Sequence, residues 1–192
     1  MDGVLVNTKK IWSKVDKEFL KKREITYNDE YKSQVTGRDQ KDVAKFYKSI
    51  FRLKDSVNLI IRERNKIAYK HYKNELQLMP YAFNTIKILH QAGFKLALAS
   101  NASVKLINAV LKKFNLKKYF LIKMSGEFLK RGKPDPDIYL RTAKQLKIKP
   151  ENCLVIEDSP NGVRSAKRAG MYCIGVLNTK LDWPPKFGHG LK

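Results

Sequence analysis

An α/β fold, with a parallel sheet and a separate helical segment, is the class this sequence predicts, and two textures predict it. From 8 to 77 the apolar residues recur with a helical period, one helix after another. After Pro80, short apolar runs alternate with amphipathic stretches, a spacing that calls for right-handed crossovers and a parallel sheet covered on both faces. The residues that close those runs are polar, which is where such sheets carry their functional groups.

In chain order, "GVLVN" after Asp2 reads as the end of a strand. "WSKVDKEFLKK" sets Trp12, Val15, Phe19 and Leu20 on one helix face, and "VNLIIRERNKIAYKHY" keeps a similar period. The second half gives helix "YAFNTIKILHQA", strand "FKLALAS", helix "SVKLINAVLKKF" and strand "YFLIKMS". It continues with helix "PDIYLRTAKQL", strand "NCLVIEDS", helix "PNGVRSAKRAG" and strand "MYCIGVL". Beyond it, Pro184, Pro185, Gly188 and Gly190 predict an irregular tail, which leaves His189 without a ligand role. His71 and His90 fall within helical patterns and take an ordinary surface or packing role.

Composition bounds the rest. The 192 residues, 43% of them hydrophobic, suffice for a real core. Cys153 and Cys173 lie in apolar runs without metal-ligand spacing, so buried free thiols and a reducing, cytoplasmic compartment are expected. No charged-then-apolar leader opens the chain and no apolar stretch is long enough to cross a bilayer, so no membrane partner is expected. The formal charge of +22 fits either a bias spread over helix faces or a polyanion site. Without a dense basic run or a nucleic-acid motif, only weak and non-specific binding to nucleic acid is expected. A monomer is expected.

Ser100 and Asn101 close one strand, Glu157 and Asp158 another, and "RGKPDPDIY" presents Lys133 from a loop stiffened by Pro134 and Pro136. Adjacent carboxylates repel unless a cation separates them, and hard oxygen ligands suit Mg²⁺. A hydroxyl and an ammonium suit the nonbridging oxygens of a phosphoryl group. Together they describe phosphoryl transfer. The plainer reading is that Ser159 caps the helix begun by Pro160 and that the carboxylates merely end a strand.

"DGVLVN", "ALASNAS", "GKPDPDIYL" and "VIEDSPNGVRSAKRAGM" stand in the order and spacing of the haloacid dehalogenase superfamily. The chain resembles its sugar-phosphate phosphatase and β-phosphoglucomutase-like branch from Met1 to about Val176. The resemblance implies a Rossmann-like core over 1–7 and 78–192, with a helical cap inserted over 8–77. It also implies a Mg²⁺-dependent phosphatase of a small phosphorylated metabolite. Asp2 then matches the general acid/base and lends its carbonyl to the metal. Ser100, with Asn101 beside it, matches the phosphate-binding position, Lys133 the charge-neutralising lysine, and Glu157 with Asp158 the metal ligands. In the cap, "TGRD" places Gly37 and Arg38 toward the leaving group.

Where the family carries its nucleophilic Asp, the position falls one residue before Met1. Three accounts stand: a record begun one strand late, a fragment, or a pseudoenzyme that only binds phosphate. The late start is preferred, because losing a central strand would expose its neighbours. As written, the chain is expected to be inactive. Asn7, Lys10 and Tyr81 depart from the pattern, Tyr81 standing where Gly is expected. Trp12 replaces the cap histidine of the mutases and resembles the hexose-phosphate phosphatases, though it also fits the apolar stripe. A β-phosphoglucomutase-like mutase is the alternative activity.

Overall fold

The computed structural model describes residues 1–35 and 38–176, and only the backbone of Asp29, Lys32 and Ser33. The predicted irregular tail and Gly37 lie outside the described residues. Four helices come first: α1 (Lys9–Lys21), α2 (Asp29–Val35), α3 (Gln40–Ile50) and α4 (Val57–Glu75). α1 buries Ile11, Val15, Phe19 and Leu20, the stripe that the sequence pattern predicts. Asp39 caps α3 by accepting from Asp42 N at 2.8 Å, and Ser56 caps α4 by accepting from Leu59 N at 3.2 Å.

α4 is the hub. It packs against α1 and α3 on one side and against α6 (Val104–Lys113) on the other. A single apolar cluster therefore joins Val15, Tyr47 and Ile60 of the first helices to Leu98, Leu106 and Val110 of the second half. Inside it Arg64 donates from Nε and NH2 to Asp16 Oδ1 at 3.0 and 2.6 Å, tying α4 to α1. His71 has a packing role, set between Glu18 and Glu75 at 2.5 and 2.7 Å. His90 meets the Tyr119 ring edge-on at 5.2 Å between centroids.

The second half runs α5 (Ala82–Gln91), β1 (Ala97–Ser100), α6, β2 (Ile122–Ser125), α7 (Asp137–Leu146), β3 (Leu154–Glu157), α8 (Pro160–Arg168) and β4 (Tyr172–Gly175). Ser159 does cap α8, accepting from Gly162 N at 3.1 Å with Pro160 in the first helical position. β1 pairs in parallel with β2, from Ala97 opposite Ile122 to Ser100 opposite Ser125. β3 pairs in parallel with β4, from Leu154 opposite Tyr172 to Glu157 opposite Gly175.

One continuous sheet was the expectation, and two two-stranded sheets are what the structure shows. Among the described residues no strand bonds to both β1 and β3, so each keeps one unpaired edge. α7 packs on β1 and β2 and against α8, so one small cluster links Ala99 and Met124 with Val155 and Ala166. Coverage of both faces holds for β1 and β2, with Leu98 in the cluster of α6 and Ala99 in that of α7. It fails for β3 and β4: Leu154 is 59% exposed and Tyr172 70%, because no described element packs over that face. The two cysteines are free thiols, but half-buried rather than buried, since they lie on this thinly covered sheet.

Candidate active site

The first residues form a tight hook rather than an extended strand. Met1 O accepts from Leu5 N at 2.8 Å, and Met79 N donates to Leu5 O at 2.9 Å. The hook sets Asp2 beside the carboxyl ends of β1 and β3. Ser100 Oγ, buried, lies 3.4 Å from Asp2 Oδ2 and accepts from Ala102 N at 3.2 Å. The Tyr72 hydroxyl donates to Asp2 Oδ1 at 2.5 Å. Burial, and then the adjacent Asp2 carboxylate, push the Tyr72 hydroxyl well above its ordinary range, so it stays a donor.

On the other side Glu157 is satisfied from every direction. Lys133 Nζ pairs with its Oε1, and the Tyr139 hydroxyl donates to the same oxygen at 2.6 Å. Oε2 accepts from Asp158 N, Ser159 N and Ser159 Oγ at 3.1, 3.3 and 3.1 Å. A Cβ on Gly162 would fall 2.0 Å from this carboxylate, so only glycine lets the first turn of α8 come so near. Burial alone would raise the Glu157 pKa, but the Lys133 ammonium and the Met1 amine outweigh it and hold it at about 2.

Asp158 has the opposite environment. Burial and the Glu157 charge push its carboxyl up to about 6; Asp2 adds to the rise and the Met1 amine opposes it. Gly3, at φ +68°, makes the close approach possible: a Cβ there would stand 1.8 Å from Asp158 Oδ2. The crowd of Asp2, Glu157 and Asp158 is the donor chemistry that a hard divalent cation relieves, and in that sense these residues fit Mg²⁺. Among the described residues no group of three His, Cys, Asp or Glu stands at ligand spacing, since Glu157 is turned to Lys133.

A single cavity of about 280 Å³ brings the predicted residues together. Asp2, Ser100, Asn101, Lys133, Glu157 and Asp158 line it, together with Trp12 and Arg38. Arg38 is exposed, with its guanidinium 5.7 Å from the Phe46 ring centre. Trp12 serves both of its readings: it lines the cavity and packs against the apolar cluster, meeting Tyr72 edge-on at 6.4 Å. Sequence reasoning missed Tyr72, Tyr139, Gln40 and the Asp16–Arg64 pair. Tyr139 lies within the "GKPDPDIYL" motif, which was a signal; nothing in the sequence marked the others.

Residues 1–176 match the family model of the haloacid dehalogenase-like hydrolases. A phosphorylated carbohydrates phosphatase of Thermotoga maritima is 27% identical over 95% of this chain and 85% of its own length. A probable pseudouridine-5'-phosphatase of Drosophila melanogaster is 34% identical over 95% of this chain and 81% of its own. The β-phosphoglucomutase of Clostridium difficile superposes with a TM-score of 0.79 over 93% of this chain and 82% of its own, a likeness of fold at 22% identity. With four motifs in order, the Rossmann-like α/β architecture and a match over 176 residues, the chain belongs to the haloacid dehalogenase-like hydrolases.

Proposed function

We propose that this hydrolase is a Mg²⁺-dependent phosphatase of a small phosphorylated metabolite, a sugar phosphate or similar ester, acting through an aspartyl-phosphate intermediate. The observation that carries the reading is the convergence of a hydroxyl, an ammonium and three carboxylates at one end of one cavity. Ser100 Oγ and the Asn101 side chain hold nonbridging oxygens of the phosphoryl group, and Lys133 offsets its charge. Asp2 is the general acid/base, oriented by the Tyr72 hydroxyl.

In the first step a carboxylate oxygen attacks phosphorus while the ester P–O bond breaks, and Asp2 protonates the leaving oxygen. In the second, water attacks the acyl phosphate, Asp2 takes its proton, and the carboxylate is regenerated with inorganic phosphate. By resemblance to the family motif, the attacking carboxylate is the Asp two residues before the general acid/base, a position that the extended forms below supply ahead of Met1. Asp158, Glu157 and the Asp2 carbonyl would hold Mg²⁺, which when bound supplies positive charge against the phosphoryl oxygens. Residues 8–77 act as a cap over a core of 1–7 and 78–192, with Arg38 and Trp12 facing the leaving group.

The test compares three forms: the chain from Met1, the chain extended by an apolar strand ending in Asp, and the same extension ending in Asn. Phosphate release from sugar phosphates is expected from the Asp form alone, with water rather than a sugar hydroxyl as acceptor. Equal turnover by the Asn form, or turnover by the unextended chain, refutes the aspartyl-phosphate route.

A further inference from the structure

The lining of this cavity carries a polar side chain whose bonding is unmet among the described residues. Gln40 opens α3 directly after its capping Asp39, and both Nε2 and Oε1 of its carboxamide are buried with no hydrogen-bond partner among the described residues. Gln40 lines the same cavity as Ser100 and Lys133, beside Trp12, Asp16 and Arg64. Asp16 and Arg64 satisfy one another there, and the Arg64 guanidinium lies 5.4 Å from the ring centres of both Trp12 and Tyr47. Asn101 Oδ1 is also without a partner, but it sits at the phosphate end, next to Ser100. A buried amide with neither donor nor acceptor paired is costly to keep, and few occur in native proteins. A ligand that brings the missing partners recovers that cost on binding.

We propose that the Gln40 carboxamide determines which leaving group this site accepts, by pairing with a neighbouring donor and acceptor on it. A primary amide presents an N–H and a C=O side by side, so its natural complement is a group offering one of each in the same plane. Vicinal ring hydroxyls offer such a pair, and so does the N–H/C=O edge of a cyclic imide. A leaving group lacking both leaves the amide as unpaired as it is in the unliganded chain, and so binds without the gain that a complementary group draws from it. The inference rests on the phosphatase reading of the same cavity, which fixes the phosphoryl end of the ligand.

Calorimetry with three probes tests it. Ribose 5-phosphate carries vicinal hydroxyls and no imide, 2',3'-dideoxyuridine 5'-phosphate carries an imide and no vicinal hydroxyls, and methyl phosphate carries neither. The wild-type chain is expected to bind at least one of the first two roughly tenfold tighter than methyl phosphate, as two neutral hydrogen bonds imply. Whichever probe shows the preference identifies the chemistry that Gln40 reads. Gln40→Leu is expected to abolish the preference while binding methyl phosphate within about twofold of wild type. Gln40→Met, whose unbranched chain preserves packing, is carried alongside against loss of folding, with the same outcome expected. A preference that survives both substitutions, or none in wild type, overturns the inference. Failure of methyl phosphate to bind wild type, or its undiminished binding to Ser100→Ala and Lys133→Ala, instead overturns the phosphatase reading on which it stands.

Discussion

Replacing Asp158 by Asn is expected to stabilise the metal-free protein at neutral pH, although it removes a candidate metal ligand. The Asp158 carboxyl stands at about 6 against an ordinary value of 3.8, raised by burial and then by Glu157. Because the folded value exceeds the unfolded one, the native state binds the proton more tightly. The associated stability is complete below pH 3.8 and is lost as pH rises through about 6. At about 1.4 kcal/mol per pH unit the two-unit rise caps the penalty at about 3 kcal/mol, and partial exposure of Asp158 brings it to about 1–2 kcal/mol. Asn cannot ionise and escapes that penalty. Urea denaturation of both proteins at intervals from pH 4 to 8 should show a difference that is small at the acid end, opens in favour of Asp158→Asn between pH 3.8 and about 6, and levels off above that. Millimolar Mg²⁺ should then close the gap by stabilising wild type alone. A pH-independent difference, or a less stable Asn variant at pH 7, would refute the repulsion that underlies the argument.

Lys133→Met should cost about 3–5 kcal/mol, because it strands a buried carboxylate, whereas Lys133→Met combined with Glu157→Gln should recover most of the loss in the same denaturation assay. Tyr81 sits at φ +61° and is 82% exposed, so Tyr81→Gly should stabilise the chain by about 0.5–1 kcal/mol, read as a higher urea midpoint at constant slope. Binding to duplex DNA should be measurable at low salt, indifferent to sequence, and steeply lost on approach to physiological salt; fluorescence anisotropy across a salt series checks it.

Tyr81 also shows what a sequence can disclose. It departs from a motif glycine, and the backbone turns left-handed at that residue. The strand ends were legible for a similar reason: Ser100 and Glu157 each close a four-residue apolar run, and run length and polarity are local properties. Pairing is not local. Alternating strands and helices imply parallel strands but do not say that β1 and β3 fail to meet. The adjacent carboxylates of Glu157 and Asp158 suggested a shared cation, yet Glu157 is compensated by Lys133, 24 residues earlier in the chain. Tyr72 reaches Asp2 through helix packing: α4, which carries it, packs against α1 and α6, and no spacing within α4 announces which of its side chains meets Asp2.

In the form that starts at Met1, without the strand of the extended forms, the open edges of β1 and β3 bear on how copies behave toward one another. An unpaired strand edge is a template for any extended segment that reaches it, from another molecule as readily as from the same one. Charge opposes the encounter: 40 basic residues against 18 acidic ones make every copy a strong cation, so two copies repel before their edges come near. That repulsion reaches about 10 Å at 0.1 M ionic strength and about 3 Å at 1 M. The backbone groups along the edges do not depend on salt in this way. Ionic strength therefore acts as a colloidal switch, keeping dilute-salt solutions dispersed and letting concentrated salt bring bare edges into register.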